Sequence, residues 1–202
     1  KLPTCEEERG STDCRSPFSH VVTNEPHFAA FEPYVKNLGG AVVAVGSDQG
    51  YSLAAAARAE GLWLLDYDPI VVALHSVLRV VIEASADRDA FVRAFSDAGA
   101  ADTKKLLERA LSDKEKKAAL QVWGSARGAL AKVYASERAE PRGLGWLRSE
   151  PTYQHMRALV TQGRVHSVPG NLLTDKVMPA IGRAADKLGV VLRIYYPSNA
   201  DD

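Results

Sequence analysis

Apolar residues in this chain fall into two patterns, and their order along the sequence predicts the architecture. Ala41–Val45 and residues 62–65 are short, nearly continuous apolar runs without alternation, as in strands buried on both faces of a parallel sheet. Between them Gly46-Ser47-Asp48-Gln49-Gly50 reads as a turn with glycine at both ends, and residues 51–60 are alanine-rich and helical. Two further strands are predicted near 164–168 and 190–195, joined by a crossover helix over 175–187 that Gly189 caps and Pro179 bends. Ahead of the first strand, Phe28, Phe31, Val35 and Leu38 recur at helical spacing after Asn24-Glu25-Pro26, with Pro33 interrupting and Gly39-Gly40 closing the segment.

The stretch PIVVALHSVLRVVIEA after Asp68 is apolar on nearly every face and predicts a buried helix. His75 lies inside it. The plain reading is a neutral, hydrogen-bonded core histidine; the functional one places it in the same cleft as Asp66 and Asp68. Residues 86–138 are charged and helical, with Phe91, Phe95, Leu106, Leu107, Leu111, Leu120, Trp123, Leu130 and Val133 marking inward faces. Gly124 and Gly128 in that stretch imply close packing against another element. A break rich in glycine and proline follows at 140–149. Arg142, Trp146 and Arg148 reach an anionic or aromatic substrate if the break overhangs a cleft; otherwise Trp146 tucks onto the core. Ser149 with Glu150-Pro151 starts the next helix, which carries Tyr153, Met156, Leu159 and Val160 to Gly163.

These elements predict an α/β domain: a three-layer, Rossmann-like, mostly parallel sheet with a helical insertion between the second and third strands. Residues 1–20 read as a polar leader, and 21–202 as a single domain with the insertion at about 86–150.

Charge and composition narrow the partners. The chain has 202 residues, is 46% hydrophobic and carries zero formal net charge, which argues against a nucleic-acid footprint or a polybasic membrane surface. It has no apolar run of the roughly 18 residues that a bilayer span requires. The expected partner is a small-molecule ligand; oligomeric state is not legible. Cys5 and Cys14 stand together in the leader. As a disulfide they imply an extracytoplasmic protein, and as free thiols a reducing cytoplasm. No zinc-ligand spacing is present, and no metal is expected.

The polar residues at predicted strand ends hold the functional information. Asn24, Asp48, Gln49, Asp66, Asp68, Asn171 and Asn199 all fall along the carboxyl edge of one parallel sheet, where open α/β sheets bind ligands. Asp66 follows Gly46 by about twenty residues, the spacing at which a strand-end carboxylate meets a ribose hydroxyl in nucleotide-binding βαβ units. The bland alternative is that Asp66 and Asp68 cap the helix beginning at Pro69. A nucleophile elbow, a phosphate-binding Gly-x-x-x-x-Gly-Lys and a His-Glu-x-x-His site are all missing from the sequence.

With Gly46 and Gly50 on the outer glycines of a Gly-x-Gly-x-Gly turn and Asp66 ending the second strand, the chain resembles the class I S-adenosylmethionine-dependent methyltransferases. It is also similar to a group of uncharacterised bacterial methyltransferase-like proteins. Asp48 stands where the family has its middle glycine, and Ala44 where it has the preceding acid. The resemblance implies S-adenosylmethionine as cofactor over Gly46, Asp48, Gln49 and Gly50. It further implies Asp66 on the ribose and Asn171, in an acid's place, near the adenine. Asp68, Ser198 and Asn199 become candidates for orienting the acceptor. A carboxylate at Asp48 must crowd or bind the cofactor's amino-acid end. Use of this cofactor implies a cytoplasmic protein. Two functions remain open: a methyltransferase acting on an unknown acceptor, and a methyltransferase-like binding or scaffold module, exported or not, that has lost the cofactor.

Overall fold

The computed structural model describes residues 21–22, 28–139, 144–172 and 176–198. Cys5, Cys14, Asn24, Arg142 and Asn199 lie outside them. The described chain is a mixed α/β structure with a four-stranded, all-parallel sheet in the order β3-β2-β1-β4. The strands are β1 (Ala41–Val45), β2 (Gly61–Asp66), β3 (Val165–Pro169) and β4 (Leu192–Tyr196). A 3-10 turn at Phe28–Phe31 leads into the short helix α1 (Glu32–Val35), with Pro33 in its first turn, where a missing N–H costs nothing. Helix α2 (Gln49–Ala57) joins β1 to β2. Between β2 and β3 come α3 (Pro69–Ala84), α4 (Arg88–Phe95), α5 (Ala100–Ala110), α6 (Asp113–Ala139) and α7 (Glu150–Thr161). Helix α8 (Val177–Leu188) returns the chain to β4.

Connection geometry explains which face each helix covers. The steps β1 to β2 to β3 move one way across the sheet, so right-handed crossovers put α2 and the β2–β3 helices on a single face. The step from β3 to β4 reverses direction and sends α8 to the other. The two cores follow this division. Val42, Ala44, Leu62 and Leu64 pack with Leu53, Leu74, Leu78, Phe91 and Trp146, while Val43, Val45, Trp63 and Leu65 pack with Val177, Ile181 and Ala185. Every residue of β1 and β2 is buried, which accounts for their unbroken apolar sequence.

The first face is deep because six helices, α2 to α7, stack on it. Its centre is aromatic. Trp146 is fully buried and lies 4.9 Å from Phe91, 5.5 Å from Tyr51 and 5.9 Å from Tyr153, centroid to centroid. The tryptophan of the glycine- and proline-rich break is therefore a core residue. Ser149 caps α7 and forms a capping box with Thr152, which fixes the helix start at the expected place.

Several expectations need correction. Helix α2 begins at Gln49, so Gly50 lies inside the helix and not in the turn. A Cβ on Gly50 would come 2.6 Å from Leu64 Cδ2, so glycine is needed there for close helix–strand approach. Gly124 and Gly128 meet nothing within 4 Å and are exposed, so close packing is not their role. Pro179 sits in the first turn of α8, where no i−4 carbonyl is available to bond, and it causes no interior break. β4 alternates between half-buried and exposed residues up to Tyr196, because among the described strands it pairs with β1 alone.

Candidate functional site

The strand order reverses between β1 and β4, and in open α/β sheets ligands bind beyond the carboxyl ends of the strands at such a point. Both chains leave the sheet there in the left-handed region. Gly46, just past β1, has φ 94°, and Ser198, two residues past β4, has φ 58°. A serine held at positive φ is uncommon and carries a local cost of about 1 kcal/mol or more.

Past Gly46, Ser47 and Asp48 are buried, and the Ser47 hydroxyl lies 3.1 Å from Gln49 Oε1 and 3.4 Å from Asp48 Oδ1. One hydroxyl proton serves one of these acceptors at a time. Asp48 holds the N-cap position of α2, yet its backbone is already helical (φ −93°, ψ −1°) and its carboxylate makes no cap bond. The usual capping geometry needs an extended backbone. Its side chain instead lines an open cleft of about 600 Å³. Burial pushes the Asp48 pKa up to about 6.

The rest of the cleft wall comes from far along the chain. Ser52 and Gln49 contribute from α2, Lys132, Val133, Ser136 and Glu137 from α6, and Leu144, Gly145 and Phe28 close the sides. Glu137 Oε1 accepts the Leu147 backbone N–H at 2.8 Å, and the Trp146 N–H reaches Ser52 Oγ at 3.3 Å. These bonds seat the 144–147 segment against α2. An ion pair of Arg148 with Glu32, 2.7 Å, ties the same segment to α1. Burial first, and the Asp48 charge second, raise the Glu137 pKa to about 7. The hydroxyl of Tyr134, one turn before Glu137, is wholly buried without a hydrogen-bond partner among the described residues.

Asp66 and Asp68 stand at the end of β2. Asp66 Oδ1 accepts the Asp68 N–H at 2.8 Å, and Asp68 Oδ1 accepts the Ile70 N–H at 2.8 Å as the N-cap of α3. Desolvation raises the Asp66 pKa to about 6, against the backbone N–H groups of Asp68, Tyr67 and Gly46. The turn after β1 and the acid after β2 are thus neighbours. Asn171, nearly buried, follows β3 by two residues, and the intervening Gly170 N–H bonds the Asp66 carbonyl at 3.0 Å. His75 is turned to the same turn: its Nε2–H donates to the Gly46 carbonyl at 3.1 Å, which fixes the tautomer and leaves Nδ1 buried without a partner. Burial lowers its pKa to about 4, so it is neutral at ordinary pH.

The structure therefore brings Gly46, Asp48, Gln49, Asp66, Asp68 and Asn171 to one edge of the sheet, with Gly50 a turn deeper in α2. Ser198 joins them at the end of β4. The cleft itself takes in Asp48 and Gln49 from this set, while Asp66 and Asn171 belong to the ends of β2 and β3. Glu137 is missed by sequence reasoning because SERAE looks like any solvated helix end. A signal was present: Trp123, Ala126, Leu130 and Tyr134 form the buried stripe of α6, and Glu137 extends it.

Among the described residues no group of three or more His, Cys, Asp and Glu side chains is placed to hold a metal ion, and no helix is long and apolar enough to cross a membrane. A search of curated proteins gives no match. A model of the family described as "Domain of unknown function (DUF7790)" matches residues 20–202, and the chain belongs to that family.

Proposed function

We propose that this is a small-molecule-binding protein of methyltransferase-like, three-layer Rossmann-like architecture, with the helices over 88–139 inserted above one face. Its ligand is S-adenosylmethionine, bound along the carboxyl edge from β3 to β1. The observation that carries the reading is the sheet order β3-β2-β1-β4, the first four places of the doubly wound order 3-2-1-4-5-6, with a buried acid ending β2 beside the turn after β1.

The residues present fit such a ligand in charge and in room. A Cβ on Gly46 would meet only Gln49 Oε1, at 3.7 Å, so the backbone there is open to close approach. Asp66 is a carboxylate held by backbone N–H groups at the place where ribose hydroxyls are received. Asn171 offers an amide beyond β3 that can both donate and accept toward an adenine edge. Asp48, in place of a glycine, sets a negative charge against a ligand with a positive amino-acid end. When bound, S-adenosylmethionine supplies an activated methyl group. The chain's contribution is to align it with an acceptor, Asp68 and Ser198 facing the acceptor side, and alignment alone can account for much of a transfer rate.

A second reading is favoured by the bonds of Asp66 and Asp68, each of which already accepts a backbone N–H around the start of α3. On that reading the acids are structural and the domain is a binding or scaffold module without the cofactor. Calorimetric titration with S-adenosylmethionine and S-adenosylhomocysteine separates the two. Binding that is lost in Asp66→Ala supports the cofactor reading. Absence of heat at millimolar ligand with folded protein leaves the module.

A further inference from the structure

The cleft between α2 and α6 shares Asp48 and Gln49 with the cofactor edge, but the rest of its lining, from α6 and the 144–145 segment, has its own chemistry. Asp48 and Glu137 are its carboxylates, and Phe28, Val133 and Leu144 give it apolar surface. We infer that this cleft binds a small molecule with a protonated primary amine on an apolar body, the ammonium seated between Asp48 and Glu137.

Three independent features support this. Asp48 is 6% exposed, lines the cleft and has no cationic partner among the described residues, where its carboxylate meets its own backbone N–H and the long 3.4 Å contact from the Ser47 hydroxyl. An ionised carboxylate buried this far is normally paired, and here the space that a cation would fill is the cleft. Glu137 uses one oxygen for the Leu147 N–H and makes no ion pair among the described residues. Next to them, the Tyr134 hydroxyl is fully buried and without a hydrogen-bond partner among the described residues; burial first, and the nearby Asp48 and Glu137 carboxylates after it, oppose its ionisation. An ammonium group offers three donors, enough for two carboxylates and a third acceptor such as a serine hydroxyl of the lining, Ser52 or Ser136.

The lining also sets the size and sign of the ligand. A cleft of about 600 Å³ suits a drug-sized molecule, and Lys132 on its wall repels a second positive charge. A monoamine is therefore preferred over a polyamine. The inference shares Asp48 with the proposed cofactor site, and its test separates the two.

The test is titration of the full chain with 2-phenylethylamine, its isosteric alcohol and the matching carboxylate, followed by amide chemical shifts. The amine is expected to bind at least tenfold more tightly than the alcohol, with the carboxylate not binding. Asp48→Asn and Glu137→Gln should each weaken the amine about tenfold or more without lowering the unfolding temperature. Lys132→Gln, an exposed change with no bearing on folding, should tighten it by about twofold to fivefold, as loss of one like charge at short range predicts. Equal affinity for amine and alcohol, or an amine affinity unmoved by all three substitutions, overturns the inference. Adding S-adenosylhomocysteine distinguishes the source of the ammonium: competition assigns it to the cofactor's own amino-acid end, and independent binding to a separate amine. Binding of S-adenosylhomocysteine with no amine binding rejects the amine site and keeps the cofactor. Amine binding without it keeps the amine site and rejects the cofactor.

Discussion

His75 Nε2–H donates to the carbonyl of Gly46 at 3.1 Å, so a helix residue 29 positions along the chain holds the turn on which the candidate site is built. The ring is buried against Tyr51, with centroids 5.9 Å apart, and it stays neutral because burial lowers its pKa to about 4. A folded pKa below the unfolded value of about 6.5 stabilises the protein fully above pH 6.5 and is lost as pH falls through 4. His75→Leu should therefore cost about 1–3 kcal/mol at pH 7, from the carbonyl left without its donor. The same variant should remove part of the acid-side loss of stability. Urea unfolding at pH 7.5 and pH 4.5 reads both effects; a penalty equal at the two pH values would show that the histidine does not titrate with folding.

Gly50 and Gly124 make opposite predictions from the same substitution. A methyl on Gly50 meets Leu64 at 2.6 Å and the Ala44 Cβ at 3.0 Å, so Gly50→Ala should push α2 off β1 and β2 and destabilise by about 1–3 kcal/mol. Gly124→Ala, exposed in the middle of α6 with nothing within 4 Å, should stabilise by about 0.5–1 kcal/mol. Thermal unfolding of the two variants decides it, and a stabilised Gly50→Ala would mean that the helix is not packed against the sheet as described.

The pH dependence of Asp48 runs the other way from that of His75. Its pKa is raised to about 6, so its favourable contribution is complete below the unfolded value near pH 4 and is lost as pH rises through 6. Asp48→Asn should stabilise the protein at pH 8 by up to roughly 3 kcal/mol and change little below about pH 3.5, where the acid is protonated in both states. Holding a destabilising carboxylate is the kind of exchange of stability for binding that functional sites show. If Asp48→Asn is less stable at pH 8 than the parent, the carboxylate has a structural partner and the cleft loses its main anchor.

Most of the sheet was legible because β1 and β2 are buried on both faces, and burial on both faces writes itself as an unbroken apolar run. Helix α3 was legible for the same reason. β3 and β4 were read less well at their edges, since an edge strand is free to mix exposed residues such as Arg193 and Tyr195 among buried ones. The position of Gly50 was misread because a glycine serving close helix–strand contact looks in sequence like one serving a turn. Of the site, the strand-end acids were visible through their spacing, whereas Glu137 was not. Its nearness to Asp48 depends on how six helices stack over one face, and no local pattern records that.

Hydrogen exchange of the backbone with and without saturating S-adenosylhomocysteine tests the central claim most directly, because it reports where a ligand sits. The account predicts slowed exchange concentrated at residues 46–52, 66–69 and 169–172, the ends of the three strands from which Asp48, Asp66 and Asn171 project. Exchange unchanged at those three segments in the folded protein would contradict it.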